Sequence, residues 1–260
     1  MIYLLRNAWA LLLGMLLLMI GNGVQGTLLG IRGSIEGFSP GTMSYLMSAY
    51  MVGMLIGSQI APILISHVGH VRVFAALASL ISASFIGFAI FVDPISWFLL
   101  RLLVGFCFSG VYVASESWLN EAASNENRGK TMSVYMIVQM SGILLAQVLI
   151  NFADPSSYIL FAIISVLVSI SFAPILLSVS RVPIVTTAKR MSLKGLYNTS
   201  PLGSITMVLI GGVFSLLFGM SAVYGSEKGL SIREISLLVG SIYVAGVLFQ
   251  YPVGFISDRI

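Results

Sequence analysis

The sequence predicts an all-α protein that crosses a membrane several times, and three observations carry that reading. Of its 260 residues 58% are hydrophobic and only 8% are charged, against roughly 25% charged residues in soluble domains. The apolar residues fall into eight stretches, each near the roughly 20 residues that a hydrocarbon core of about 30 Å demands of a helix. No alternating pattern suggests barrel strands, for which these runs are far too long. A soluble enzyme, a nucleic-acid binder and a disordered regulator are excluded at this level.

Taken in order, the expected spans are Ala8–Gly30, Met43–Ile65, Val71–Val92, Ser96–Leu119, Thr131–Ala153, Ser157–Ser178, Leu202–Tyr224 and Ile235–Ile256. Turn and stop signals separate them: Ser39-Pro40-Gly41, Asp93-Pro94, Asp154-Pro155 and Ser200-Pro201. The first span carries Asn22 and Gln25 in its middle and no small-residue cleavage site after it. It therefore reads as a retained helix and not as a signal peptide. The lone Cys107 sits in an apolar run and bears on no disulfide.

Loop charges orient the helices. Arg6, Arg72, Arg128, Lys130, Arg181, Lys189, Arg190, Lys194 and Arg259 share one side, whereas Arg32, Lys228 and Arg233 share the other. The richer side is cytoplasmic by the positive-inside rule, which puts the N-terminus inside. This asymmetry accounts for the net charge of +4 without any nucleic acid. The longest loop divides the chain into residues 1–178 with six spans, a cytoplasmic connection 179–201, and residues 202–260 with two more.

The second and eighth spans look related. Aligning Ser66-His67 with Asp258-Arg259 gives an offset of 192 residues, and Tyr50/Tyr243 with Gly53/Gly246 an offset of 193. Parallel repeats of six-helix halves are one symmetry on which transporter folds are built.

The motifs at these places resemble those of the major facilitator superfamily. Gly254-x-x-x-Asp258-Arg259 is similar to its cytoplasmic loop signature, and Gly69 with Arg72 in Val68-Gly69-His70-Val71-Arg72 resembles the end of that signature in the first half. Arg101-x-x-x-Gly105 resembles the second motif, and Asn127-Arg128-Gly129 the element between the fourth and fifth spans. Leu29-Gly30-Ile31-Arg32, Ser48-Ala49-Tyr50 and Glu116-Ser117-Trp118-Leu119-Asn120-Glu121 are similar to the YcaD-like branch of bacterial facilitators. The resemblance covers essentially the whole chain. It implies a complete N-terminal six-helix bundle plus the first two helices of a second, C-terminally truncated bundle. It further implies a bacterial inner-membrane permease working by alternating access, not an enzyme, with no cofactor and no metal. Its partners would be the lipid bilayer, a small-molecule substrate and a coupling proton or ion, the protein acting as a monomer.

Two departures stand out. Ser66-His67 replaces the family's Asp-Arg, so the charge network that locks its cytoplasmic gate lacks its acid. The fifth span shows Ser141-Gly142 and lacks the Gly-Pro of drug/proton antiporters, which weighs against a multidrug exporter.

For a solute path, Arg101 leads, since a charge within a span is costly and is retained for function by default. At 100° per residue Gly105, Phe108 and Tyr112 share its face, and Glu116 lies about 22 Å further along. Arg101 either meets an anionic group or a gating carboxylate, or else snorkels outward and merely orients the helix. Asn22, Gln25 and Arg32 share a face of the first span, Tyr45 and Ser48 one of the second. Gln139, Gln147, Tyr243 and Gln250 are further polar candidates, for which the alternative role is hydrogen bonding between helices. Gly26-x-x-x-Gly30 and Gly53-x-x-x-Gly57 suit close helix packing. Gly129-Lys130-Thr131 lacks the rest of a phosphate loop, and His67-x-x-His70 has no third ligand type nearby. The expected function is secondary transport of a small solute, with a lean to an anionic or carboxylate-bearing one. The alternative is a truncated, transport-inactive membrane protein.

Overall fold

A computed structural model describes residues 2–122, 128–177 and 193–257, all helices and connecting turns with no strand among them. The helices are α1 (Ile2–Ile35), α2 (Pro40–Val68), α3 (His70–Ile90), α4 (Pro94–Ala122), α5 (Arg128–Leu149), α6 (Ile159–Ser171), α7 (Ala173–Leu177), α8 (Leu193–Thr199), α9 (Pro201–Gly219), α10 (Ser221–Glu227) and α11 (Ile232–Ser257). A 3₁₀ turn, Ile150–Phe152, extends α5. Eight segments of these are long and apolar enough to cross a membrane, and each overlaps an expected span, the first running on to Ile35 and the eighth counted only to Phe249.

The differences have local causes. The sixth span breaks at Phe172 into α6 and α7, because Pro174 lacks an N–H and its ring crowds the carbonyl four residues back. The seventh breaks at Met220 into α9 and α10. The short helix α8 lies where the sequence suggested only a loop, and Ser200-Pro201 stops it, since a residue before proline avoids the α region.

Side-chain caps begin α2, α4 and α11. Ser39 Oγ accepts the Thr42 amide at 3.1 Å. Asp93 Oδ1 accepts the amides of Ile95 and Ser96 at 3.1 and 2.9 Å. The Ser96 hydroxyl and amide, with the Ile95 amide, hold the Asp93 carboxyl below its ordinary range. Ser231 and Glu234 form a reciprocal capping box, with the Ser231 amide on Glu234 Oε2 at 2.8 Å and the Glu234 amide on Ser231 Oγ at 3.4 Å. Between α2 and α3 stands the single residue Gly69 at φ 84°, ψ 163°, a region essentially reserved for glycine.

Helix α1 sits at the centre, against α5, α6 and α10, while α2 packs along α4 and α3 bridges α4 and α6. The α2/α4 contact is backbone on backbone. A Cβ on Gly53 would overlap the Leu102 carbonyl, and one on Gly105 the Tyr50 carbonyl. Small residues let helices approach this closely in a membrane, where van der Waals packing replaces the hydrophobic effect as the driving force. An aromatic cluster of Phe38, Trp97, Phe88 and Phe161 closes one end of the bundle. Helix α9 is the opposite extreme, with no buried residue and Leu202, Val208 and Leu209 largely exposed. An apolar helix exposed over most of its surface calls for lipid or further protein around it.

Candidate functional site

The position of Arg101 on α4, about two turns from the helix start, decides the geometry. The side chain does not snorkel: it is 5% exposed and turns inward. Its Nη1 donates to Gln25 Oε1 at 3.0 Å and its Nη2 to Met47 Sδ at 3.1 Å. The guanidinium carbon lies 4.7 Å from the centre of the Tyr50 ring, within cation–π range. Arg101 Nε and Gln25 Nε2 are buried donors without a partner. Among the described residues Arg101 has no carboxylate within ion-pair distance, the one ion pair formed there being Arg32–Glu36.

Beside this guanidinium lies a cavity of about 90 Å³. Asn22, Gly26 and Thr27 of α1 line it, with Met47, Tyr50 and Met51 of α2 on a second side. Gln147 of α5 faces them, and Phe218 of α9 with Val239 and Tyr243 of α11 form the far wall. The polar groups are tethered: Thr27 Oγ1 donates to Gln147 Oε1 at 3.1 Å, and Asn22 Nδ2 to the Tyr112 hydroxyl at 3.5 Å. The Phe218 and Tyr243 rings meet with centroids 4.8 Å apart, tilted by 32°. A Cβ on Gly26 would meet nothing within 4 Å, so this glycine leaves space in the cavity and packs against no neighbour.

The expected path residues divide accordingly. Asn22, Arg101, Gln147 and Tyr243 meet at the cavity. Gln25 stands behind Arg101 as its acceptor, and Phe108 and Tyr112 continue the aromatic column from Tyr50. Arg32 is elsewhere: it pairs with Glu36 at 2.6 Å and donates to the Pro155 carbonyl at 3.2 Å, joining α1 to the turn before α6. In that turn the Ser156 amide and hydroxyl hold the Asp154 carboxyl below its ordinary range, with a smaller pull from Arg32. Tyr45 and Ser48 lie exposed on α2, away from the cavity, and Gln139 is half-buried outside it. Glu116, Arg72, Arg128 and Gly129 are exposed. Gln250 and Gly254 lie on α11, and Asp258 and Arg259 fall outside the described residues. The two histidines diverge, His67 Nδ1 to the Ile63 carbonyl and His70 Nε2 to Ser117 Oγ, both at 2.8 Å.

Sequence reasoning missed Thr27, Met47, Met51 and Phe218. The signal for Met47 and Met51 was their i, i+4 spacing around Tyr50, which puts all three on one face.

The sequence profile of the Major Facilitator Superfamily matches residues 11–260. An uncharacterized MFS-type transporter YcaD of Escherichia fergusonii is 23% identical over 256 residues, 98% of this chain and 67% of that protein. Its counterpart from Escherichia coli O45:K1 is 24% identical over the same length and shares. Among solved structures, a mutant form of the nucleoside transporter NupG superposes with a TM-score of 0.72 at 15% identity, over 96% of this chain and 68% of that one. An auto-inhibited POT family peptide transporter gives 0.59 at 15% identity, over 94% and 53%.

Proposed function

This chain belongs to the major facilitator superfamily, and on that premise we propose that it is a secondary carrier whose Arg101 meets the anionic group of a small solute. Membrane transport and a non-enzymatic role follow from the family. The anionic preference is carried by one observation: a buried guanidinium that borders the cavity with an unpaired Nε–H and no carboxylate within ion-pair distance among the described residues. A buried cation unpaired by protein is strongly unfavourable, so the site favours a ligand that brings the missing charge. One guanidinium matches a monoanion. The tethered amides of Asn22 and Gln147 and the Tyr50 and Tyr243 rings are suited to hold the rest of such a solute.

In this reading the six-helix bundle of residues 1–178 and the two helices of residues 202–260 that begin a second bundle rock about the cavity. The protein sits as a monomer in a bacterial inner membrane with its N-terminus in the cytoplasm. Arg32 is left out of this reading, because it stands away from the cavity, held by Glu36 and the Pro155 carbonyl.

The test is uptake into vesicles containing the purified chain. Radiolabelled lactate and benzoate are compared with their uncharged amides, and protein-free vesicles supply the leak. Saturable uptake of the carboxylates with little of the amides supports the reading. Equal uptake of acid and amide refutes the role of charge. No flux of any solute from correctly inserted protein would point instead to the transport-inactive alternative.

A further inference from the structure

The cavity holds one formal charge and, among the described residues, no opposite one. Glu36 is engaged by Arg32, Asp93 and Asp154 cap turns outside the spans, and Glu234 closes the cap of α11. Glu116, Glu121 and Glu227 are exposed, and among the described residues no carboxylate lines the cavity. Arg101 therefore has an amide oxygen, a thioether and an aromatic face for company, with Nε–H unpaired.

From this we infer that the protein is an obligatory anion exchanger, which carries a monoanion in each direction and resets empty only slowly. The inference rests on the anion-carrier reading above and adds the mode of transport to it. A carrier must pass through an occluded state in which its site loses contact with bulk water. Loaded, the site enters that state as a guanidinium paired with an anion, a unit of zero net charge. Empty, it enters as a bare guanidinium in a cavity of about 90 Å³ that admits only a few waters. Removing one partner from a buried ion pair is far more costly than moving the intact pair. A carboxylate inside the site would relieve that cost by receiving Arg101 whenever the solute leaves, and none of the described residues supplies one. One-for-one exchange of monoanions moves no net charge and is indifferent to membrane potential. Return of the empty site would move one positive charge and respond to it.

The experiment uses the whole chain in vesicles of phosphatidylethanolamine and phosphatidylglycerol at neutral pH, with radiolabelled benzoate outside. One set is loaded with unlabelled benzoate and the other is left empty. Uptake into loaded vesicles at least about 100-fold faster, equivalent to ~2.7 kcal/mol at ~1.36 kcal/mol per tenfold in rate, supports exchange, provided a valinomycin-set potassium potential leaves it unchanged. Net uptake within about threefold of exchange overturns the inference while leaving the anion carrier standing. No benzoate or lactate flux in either mode overturns the anion reading and this inference together. A second measurement supplies the missing charge. Met47→Glu places a carboxylate where Sδ now accepts from Arg101 Nη2. That variant is expected to bind benzoate more weakly yet show a ratio of exchange to net uptake at least about tenfold smaller, equivalent to ~1.4 kcal/mol. An unchanged ratio in folded Met47→Glu also counts against the inference.

Discussion

Replacing Arg101 by Gln removes the charge that the proposed site offers its solute, and the size of the loss can be worked from the geometry. A guanidinium has five N–H donors. Gln25 Oε1 and Met47 Sδ engage one each, at 3.0 and 3.1 Å, and the buried Nε–H is among those left over. Truncating one member of a buried charge pair costs about 2–5 kcal/mol, roughly 30-fold to 4000-fold in affinity. A cavity that holds some water belongs toward the low end, so Arg101→Gln is expected to weaken benzoate binding about 30- to 300-fold. Stability should change far less, because the variant leaves Gln25 Oε1 unpaired but also removes an unpaired buried cation. Arg101→Lys keeps the charge but lacks the planar fork that spans Gln25 and Met47 together, and should fall between. The assay is competition against labelled benzoate, with thermal unfolding in detergent to show that each variant folds. An affinity for benzoate within about threefold of the parent in Arg101→Gln, under ~0.7 kcal/mol, would refute the assignment.

Gly26→Leu should fill the cavity at a position where a Cβ meets no neighbour, abolishing flux while the melting temperature holds; a variant that transports normally would show that solute passes elsewhere. Gly105→Ala should behave oppositely, because its methyl overlaps the Tyr50 carbonyl, and a loss of about 1–3 kcal/mol is expected from chemical or thermal unfolding. Gly69→Ala should cost a similar ~1–3 kcal/mol, since Ala cannot easily adopt its backbone geometry. The Asp93 carboxyl is depressed in the folded protein, so its cap contributes fully above the unfolded value near about 3.9 and fades as pH falls below that toward the folded value. Asp93→Asn should flatten that acid limb of a pH–stability curve by lowering stability at neutral pH toward the acid level, while stability at the acid end stays nearly unchanged.

The spans were legible because hydrocarbon sets a length and proline sets the ends, and both act on the chain locally. Arg101 was legible for a related reason, an intramembrane charge being too costly to keep idly. Tyr45 and Ser48 show where the reasoning ran out. Polarity was taken to mark the inner face of α2, but hydroxyls on a helix are commonly satisfied by its own carbonyls, as Ser58 Oγ is by Leu55 O at 2.8 Å. Polarity then says nothing about direction. The face that turned inward carries Met47, Tyr50 and Met51, and only the neighbouring helices could select it. Arg32 was drawn to the path for its charge, yet it pairs with Glu36 one turn on and donates to Pro155 in the turn before α6, far away in sequence.

The glycines divide the molecule into mechanical parts that do not follow chain order. Gly23 and Gly142 lock α1 to α5, Gly53 and Gly105 lock α2 to α4, and Gly30 locks α1 to α10, each with no room for another methyl. Gly219 against Met47, Gly240 against Gln147 and Gly246 against Met140 stand at ordinary contact distances, 3.5 to 3.8 Å from where a Cβ would be. The α2/α9 and α5/α11 seams, which meet at the cavity, are thus packed more loosely than the α1/α5 and α2/α4 seams. Helix α10 packs tightly on both α1, through Gly30 and Ala222, and α11, through Gly225 and Ile235, while α9, next to it in sequence, meets α2 only at ordinary contact distance; the break between them is Met220, one residue beyond the cavity wall at Gly219.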